Sequence, residues 1–291
     1  GHCDDAQSCT RTGAWVVRLI TVRRQFEEGD CFPLYLWSDW HKGNANCAKH
    51  VLTRDRDEIA AEPRAMYATL GDLYDCIAFD DSRYDPAHVD WDFIAPHDMG
   101  RLSDVVVADR VAFESPVVDK CLVSLWGNHD GKFSKYHHTD INLRALDRMG
   151  RADAAARGAA LVRIVFTDAH KHACQVGLNL HHGRRIAKYK STLLNNLLIK
   201  LRHWNDVDIL ARGHCHFTGA ASEARVGFDR NFRDLRDKKV YAALTGGYLK
   251  TYLEDGSCYA EDFDLDPIDI GMQRFVVYPS RYGATVKAVT E

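Results

Sequence analysis

The stretch Cys121-Leu122-Val123-Ser124-Leu125-Trp126-Gly127-Asn128-His129-Asp130 decides how the whole chain is read. A short, largely apolar run has the composition of a buried strand, and it passes directly into a glycine turn carrying an amide, an imidazole and a carboxylate. Four other runs end the same way. Phe32 to Trp37 leads into Ser38-Asp39-Trp40-His41, and Ala65 to Leu70 into Gly71-Asp72; Gln175 to Leu180 leads into His181-His182-Gly183, and Val207 to Ala211 into Gly213-His214-Cys215-His216. Helical patterns fill Ala48 to Ala61, Leu102 to Phe113, Asp140 to Met149 and Lys190 to Trp204. Further strands are expected at Leu161 to Phe166 and Val240 to Thr245, and at Phe275 to Tyr278 with Ala284 to Val289, joined through Ser280 to Gly283. The alternation predicts an α/β chain. Open sheets bind ligands beyond the carboxyl ends of their strands, so the five polar clusters predict a site at one rim.

Ligand chemistry narrows what that site holds. Asp39 and His41, two apart at a strand end, offer one carboxylate and one imidazole, and His214 with His216 repeats the spacing. Asp72 adds a carboxylate able to bridge, Asn128 a carbonyl oxygen, and the His181-His182 pair a further imidazole. Taken singly, each is a turn residue or a satisfied histidine. Together they exceed the four ligands one zinc wants and suit two ions sharing a carboxylate and a water. Oxygen and imidazole ligands without thiolate favour manganese, with iron or zinc as alternatives. Cys215, between two of these histidines, is expected to point away as a packed thiol.

The ordered series Asp39-x-His41, Gly71-Asp72-x-x-Asp75, Gly127-Asn128-His129-Asp130, His181-His182-Gly183 and Gly213-His214-x-His216 resembles the five blocks of the calcineurin-like metallophosphoesterase family, in that family's order. The resemblance implies a four-layer αββα sandwich of two mixed β-sheets flanked by helices, with the metal site at the strand-end rim. It implies that Asp39, His41 and His216 hold one ion, that Asn128, His214 and His182 (or His181) hold the second, and that Asp72 bridges them. His129 is then the acid that protonates the leaving oxygen, with Asp75 orienting it.

The same resemblance bears on the substrate. Family members that act as serine/threonine protein phosphatases follow the second block with Arg-Gly, whereas Cys76-Ile77 follows Asp75 here. The first and third blocks are similar to the nuclease subunits of double-strand-break repair complexes, and Gly71 to Pro86 and the His-His-Gly block to exonuclease-like phage members. A phosphodiesterase acting on DNA or RNA is therefore the first expectation. A small-molecule phosphodiesterase or phosphomonoesterase for a nucleotide or lipid headgroup is the alternative, and a non-catalytic metal-binding scaffold is the reading from another class. Arg83, Arg184 and Arg185 are the candidate phosphate contacts.

Composition sets the frame. The 291 residues are 46% hydrophobic and 27% charged with a net charge of -3, so no global positive field advertises a polyanion. No apolar run approaches the roughly 18 residues of a membrane span. Nine scattered cysteines without a C-x-x-C pair predict reduced thiols and a cytoplasmic protein. The acidic amino terminus lacks a signal-peptide core, and Gly1-His2 reads as a cloning remnant. One metallophosphoesterase domain over residues 1–291 is expected, its blocks within 39–216, with residues 1–30 and about 254–271 as peripheral additions.

Overall fold

A computed structural model describes residues 17–77, 81, 83–184, 187–228, 234–251 and 270–289. Within them the chain is mixed α/β, with twelve strands and five α-helices. The strands are β1 (Arg18–Gln25), β2 (Phe32–Trp37), β3 (Met66–Thr69), β4 (Cys121–Leu125), β5 (Ala155–Ala156), β6 (Ala159–Thr167), β7 (Ala173–His181), β8 (Ile209–Arg212), β9 (Thr218–Phe228), β10 (Leu235–Gly247), β11 (Gly271–Ser280) and β12 (Gly283–Ala288). The helices are α1 (Lys49–Ala61), α2 (Leu102–Glu114), α3 (Asn128–His137), α4 (Ile141–Arg148) and α5 (Lys190–Leu201).

Hydrogen bonding runs in the order β1-β6-β7-β8-β10-β11-β2-β3-β4-β5, with β9 on β10 and β12 on β11. β2, β3, β4 and β5 are parallel to one another, as are β7, β8 and β10. This common sense is what carries their polar ends to the same rim. The strand ladders of the two halves join where Gly246 pairs with Met272 and Gly247 with Gly271. The backbones approach so closely there that a Cβ on Gly246, whose φ is +81°, would lie 2.1 Å from the Gly271 carbonyl oxygen. Glycine is the residue that can occupy such a position.

Three apolar clusters hold the elements. In one, Leu34, Leu36, Met66 and Val123 from one half pack against Val162, Leu178, Ile209 and Ala243 from the other. In the second, the opposite faces of β2 and β3, through Tyr35, Trp37 and Tyr67, meet Leu52 and Ile59 of α1, Val106 and Val107 of α2 and Leu146 of α4. In the third, Leu193, Leu197 and Leu201 of α5 cover Leu210 and Leu244. Alternation along the strands makes this possible, since Leu34 and Leu36 face one cluster while Tyr35 and Trp37 face another.

Several elements differ from the sequence expectation. β9 was not anticipated, because Thr218-Gly219-Ala220-Ala221-Ser222-Glu223 lacks the β-branched and aromatic signal; eleven paired positions on β10 form it instead. Within the stretch expected to be peripheral, β1 pairs with β6 over eight residues, and Phe26 is buried in the central cluster. The acidic stretch 254–271 lies almost wholly outside the described residues. Among them, six cysteines are free thiols and no helix is long and apolar enough to cross a membrane. Replacing Gly246 with Ala is expected to lower the free energy of unfolding by about 2–4 kcal/mol, from φ strain plus the clash, as read from urea melts of the two proteins.

Candidate metal centre

The strands hand their polar ends over through left-handed turns. Asp39 (φ 52°), His41 (φ 47°), Asp72 (φ 51°), His214 (φ 64°) and His216 (φ 56°) all lie at positive φ. That conformation costs a residue with a Cβ roughly 1–2 kcal/mol, and Asp and His are among the residues found there most often. The turns after β2 and β3 run side by side: the Asp39 N–H donates to the Gly71 carbonyl at 3.0 Å, His41 N–H to Asp72 at 3.1 Å, and Asp75 N–H to Lys42 at 3.0 Å. Gly127 closes the third side, where a Cβ would sit 1.9 Å from Asp72 Oδ1.

Three groups of possible ligands result. Asp39, His41 and His216 offer atoms within 4.8 Å of one another, as do Asp39, Asp72, His182 and His214, and a third set, His41, Asp75 and His129, adjoins these two. His216 Nε2 is 3.5 Å from Asp39 Oδ1, and His182 Nε2 is 3.1 Å from Asp72 Oδ2. Asn128 joins the second group, its Oδ1 3.0 Å from His182 Nε2. The resemblance implies Asp72 as the shared carboxylate, whereas Asp39 is the one present in both of the first two groups. His181 is in none of the three. Half-buried at the end of β7, its imidazole is pushed down to about 4 by burial and by Arg212 and Lys200.

The atoms of these groups divide into tethered and bare. Asp39 Oδ2 accepts from the His214 N–H at 2.9 Å and from the Ser38 hydroxyl, and Asp72 Oδ1 accepts from the His129 N–H at 2.9 Å. His41 Nδ1 donates to Asp75 Oδ1 at 2.9 Å and His182 Nδ1 to the Leu70 carbonyl at 2.7 Å, which leaves a lone pair on each Nε2. Asp39 Oδ1, Asp72 Oδ2, His41 Nε2 and His214 Nδ1 are buried without a hydrogen bond. A buried polar atom left so costs about 1–3 kcal/mol. The four converge from three loops and could serve as ligands to a cation, and the oxygen and imidazole chemistry fits divalent metals.

Around this set, Asp75 serves two rings. Its Oδ1 lies 2.9 Å from His41 Nδ1 and 3.1 Å from His129 Nδ1, and its Oδ2 accepts from Asn44 Nδ2 at 2.8 Å. His129 Nδ1 also donates to the Asp75 carbonyl at 2.8 Å. Burial disfavours the His129 imidazolium, but Asp72 and Asp75 outweigh it and carry the ring up to about 9. His182 is raised to about 9 in the same way, burial being outweighed by Asp72. Burial holds His216 at about 4, against the pull of Asp39. Arg83 Nη1 stands 3.1 Å from His129 Nε2, and a guanidinium only donates, so in this arrangement Nε2 accepts and the ring is neutral. The upward pull on that ring is realised only when Arg83 moves off Nε2.

A cavity of 430 Å³ opens over the groups, with His41, Asp72, His129, His214, His216 and Arg83 in its wall. Arg83 is held by Asp81, its Nη2 2.8 Å from Oδ2. Arg184 is exposed and is not in that wall; Arg185 lies outside the described residues. Cys215 is buried in the apolar cluster under α5. Two positioning residues were not singled out from the sequence. Asp130 accepts from Gly127 N–H at 2.8 Å and Asp72 N–H at 3.3 Å, and its spacing from Gly127 is that of a helix-capping acid. Asn44 carries no comparable motif.

No family model matches the chain, and no curated protein matches it. Among solved structures, it is similar to GAP50, the anchor in the inner membrane complex of Plasmodium, with TM-score 0.44 and 12% identity over 89% of this chain and 84% of that one. It is also similar to wild-type Vps29 complexed with Zn2+ from Entamoeba histolytica, with TM-score 0.35 and 10% identity over 89% and 98%. A conserved uncharacterised protein from Streptococcus pneumoniae, described as a predicted phosphoesterase, gives 0.34 and 11% over 89% and 99%. No residue's role is drawn from these distant likenesses.

His182 gives a pH signature. It binds its proton more tightly in the folded metal-free chain than at the ordinary value of 6.5, so its stabilisation is fully present below about 6.5 and is lost as pH rises through about 9. A ligand must shed its proton, so metal affinity rises over the same window. Scanning calorimetry is expected to show the metal-free melting temperature falling between pH 6.5 and 9, and the manganese-loaded one falling less.

Proposed function

We propose that the chain is a dinuclear metal-dependent phosphoester hydrolase, with a phosphodiester of nucleic acid or of a nucleotide as its substrate. The observation that carries this reading is the set of four buried, unpaired ligand atoms beside an oriented imidazole. Asp39, His41 and His216 would hold one cation; Asp72, Asn128, His182 and His214 would hold the other. Manganese is the expected metal, with iron or zinc as alternatives. Such a pair of cations supplies an acidified water and positive charge against the phosphoryl oxygens.

The remaining work falls to the chain. Arg83 is placed to transfer its guanidinium from His129 Nε2 to a phosphoryl oxygen, since a charged acceptor is the stronger partner. That frees Nε2 for the proton that Asp72 and Asp75 favour on this ring. Asp75 fixes the ring through Nδ1 and so aims Nε2 at the leaving oxygen. Protonating a departing alkoxide is worth about 10²–10⁴ in rate. The three apolar clusters support the αββα layering, and the shared sense of β2, β3, β4, β7 and β8 supports placing the site at their rim, within a single domain.

Replacing His129 with Ala is expected to lower kcat on bis-p-nitrophenyl phosphate by about 10²–10⁴, with metal content by plasma mass spectrometry staying near two per chain. Loss of an ion would make His129 a ligand. Assays with manganese on bis-p-nitrophenyl phosphate, p-nitrophenyl phosphate and single-stranded DNA sort the substrate classes. Diester turnover without DNA cleavage selects a small substrate, and no turnover at all selects the metal-binding scaffold.

A further inference from the structure

The cavity beside the candidate metal groups also has apolar lining that phosphate chemistry does not use. Tyr84, Ile94, Met99, Phe217 and Leu249 contribute it, with Ile94 and Met99 buried in the cluster that Tyr84 packs against and Phe217 buried in the cluster under α5. The 430 Å³ volume falls in the range of sites that enclose a small ligand. An apolar chamber facing a phosphate site is filled favourably only by an apolar part of the same ligand, and two aromatic side chains in the wall suit a flat ring.

Asn46 also lines the cavity. Asn46 is pinned by its backbone, the N–H donating to Asn44 Oδ1 at 2.9 Å and the carbonyl accepting from Lys250 N–H at 3.0 Å. Its half-buried side-chain amide makes no hydrogen bond among the described residues. A carboxamide offers a donor and an acceptor side by side, the complement of a nucleobase edge. A hydrocarbon chain would leave that amide unpaired, and a small alkyl ester would leave the apolar wall empty.

We infer that this chamber seats a nucleobase attached to the phosphoester, stacked among Tyr84, Phe217 and the aliphatic wall with its edge toward Asn46. The inference rests on the phosphoesterase reading, which places the phosphate. A base enters such a chamber only unstacked from its neighbours, so the substrate is a nucleotide ester or the end of a single strand, not an internal position of a duplex.

Calorimetry of the manganese-loaded chain with thymidine 5′-monophosphate and with methyl phosphate tests this. The nucleotide is expected to bind at least about tenfold more tightly, the usual worth of an apolar subsite. Leu249→Trp, which fills the chamber from a half-buried position, and Tyr84→Ala, which removes a wall, are each expected to erase that advantage and leave methyl phosphate binding within about twofold. Equal binding of the two phosphates, or an advantage retained in both variants, overturns the inference alone. Binding of neither removes the phosphoesterase reading and this one with it. Release of mononucleotides from single-stranded DNA would assign the base to a strand end, and turnover confined to a nucleotide aryl ester would assign it to a free nucleotide; both support the chamber.

Discussion

The gathering of Asp39, Asp72 and Asp75 into one buried space is the constraint on which the rest of this protein depends. Like charges so placed repel in a medium far less polar than water, and they stay together only if something positive answers them. Protonated His182, with Nε2 3.1 Å from Asp72 Oδ2, answers in part. The remaining deficit falls on Asp39 Oδ1, which is buried without a hydrogen bond. Five residues held at positive φ, each at a cost, gather side chains that could hold cations.

How the deficit is held open is a matter of backbone. Asp39 Oδ2 and Asp72 Oδ1 are fixed by N–H groups of residues in other loops, so each carboxylate is clamped by one oxygen and presents the other. Glycine at position 127 allows the loop after β4 to lie against Asp72. Asp130 draws Gly127 N–H and Asp72 N–H onto one carboxylate and so couples the two loops. These supports come from three different strand ends, and the parallel run of β2, β3 and β4 is what brings them level.

The candidate ligands were legible in the sequence because metal chemistry restricts residue type and strand ends restrict spacing. Asp39, His41, Asp72, Asn128, His182, His214 and His216 all stand in short polar motifs after apolar runs, and the structure brings them together. What could not be read has a common cause: it depends on neighbours distant in sequence. Tyr84, Phe217 and Leu249 line one cavity, yet none stands in a periodic pattern pointing to the others. Asn44 supports Asp75 across 31 positions. The presence of Asp39 in two of the ligand groups is likewise a product of the left-handed turn, which spacing alone does not encode. α3 was hidden because its first turn, Asn128-His129-Asp130, reads as a loop when its polar residues are taken for chemistry.

Among the described residues β1 ends the strand path, paired with β6 on one side. A half-satisfied strand carrying an exposed Leu19 would ordinarily invite a second chain to extend the sheet. Its sequence Arg18-Leu19-Ile20-Thr21-Val22-Arg23-Arg24-Gln25 places three cations in eight residues. Charge of one sign along a flank disfavours pairing with an identical flank, the device by which edge strands avoid extending a sheet from one molecule to the next.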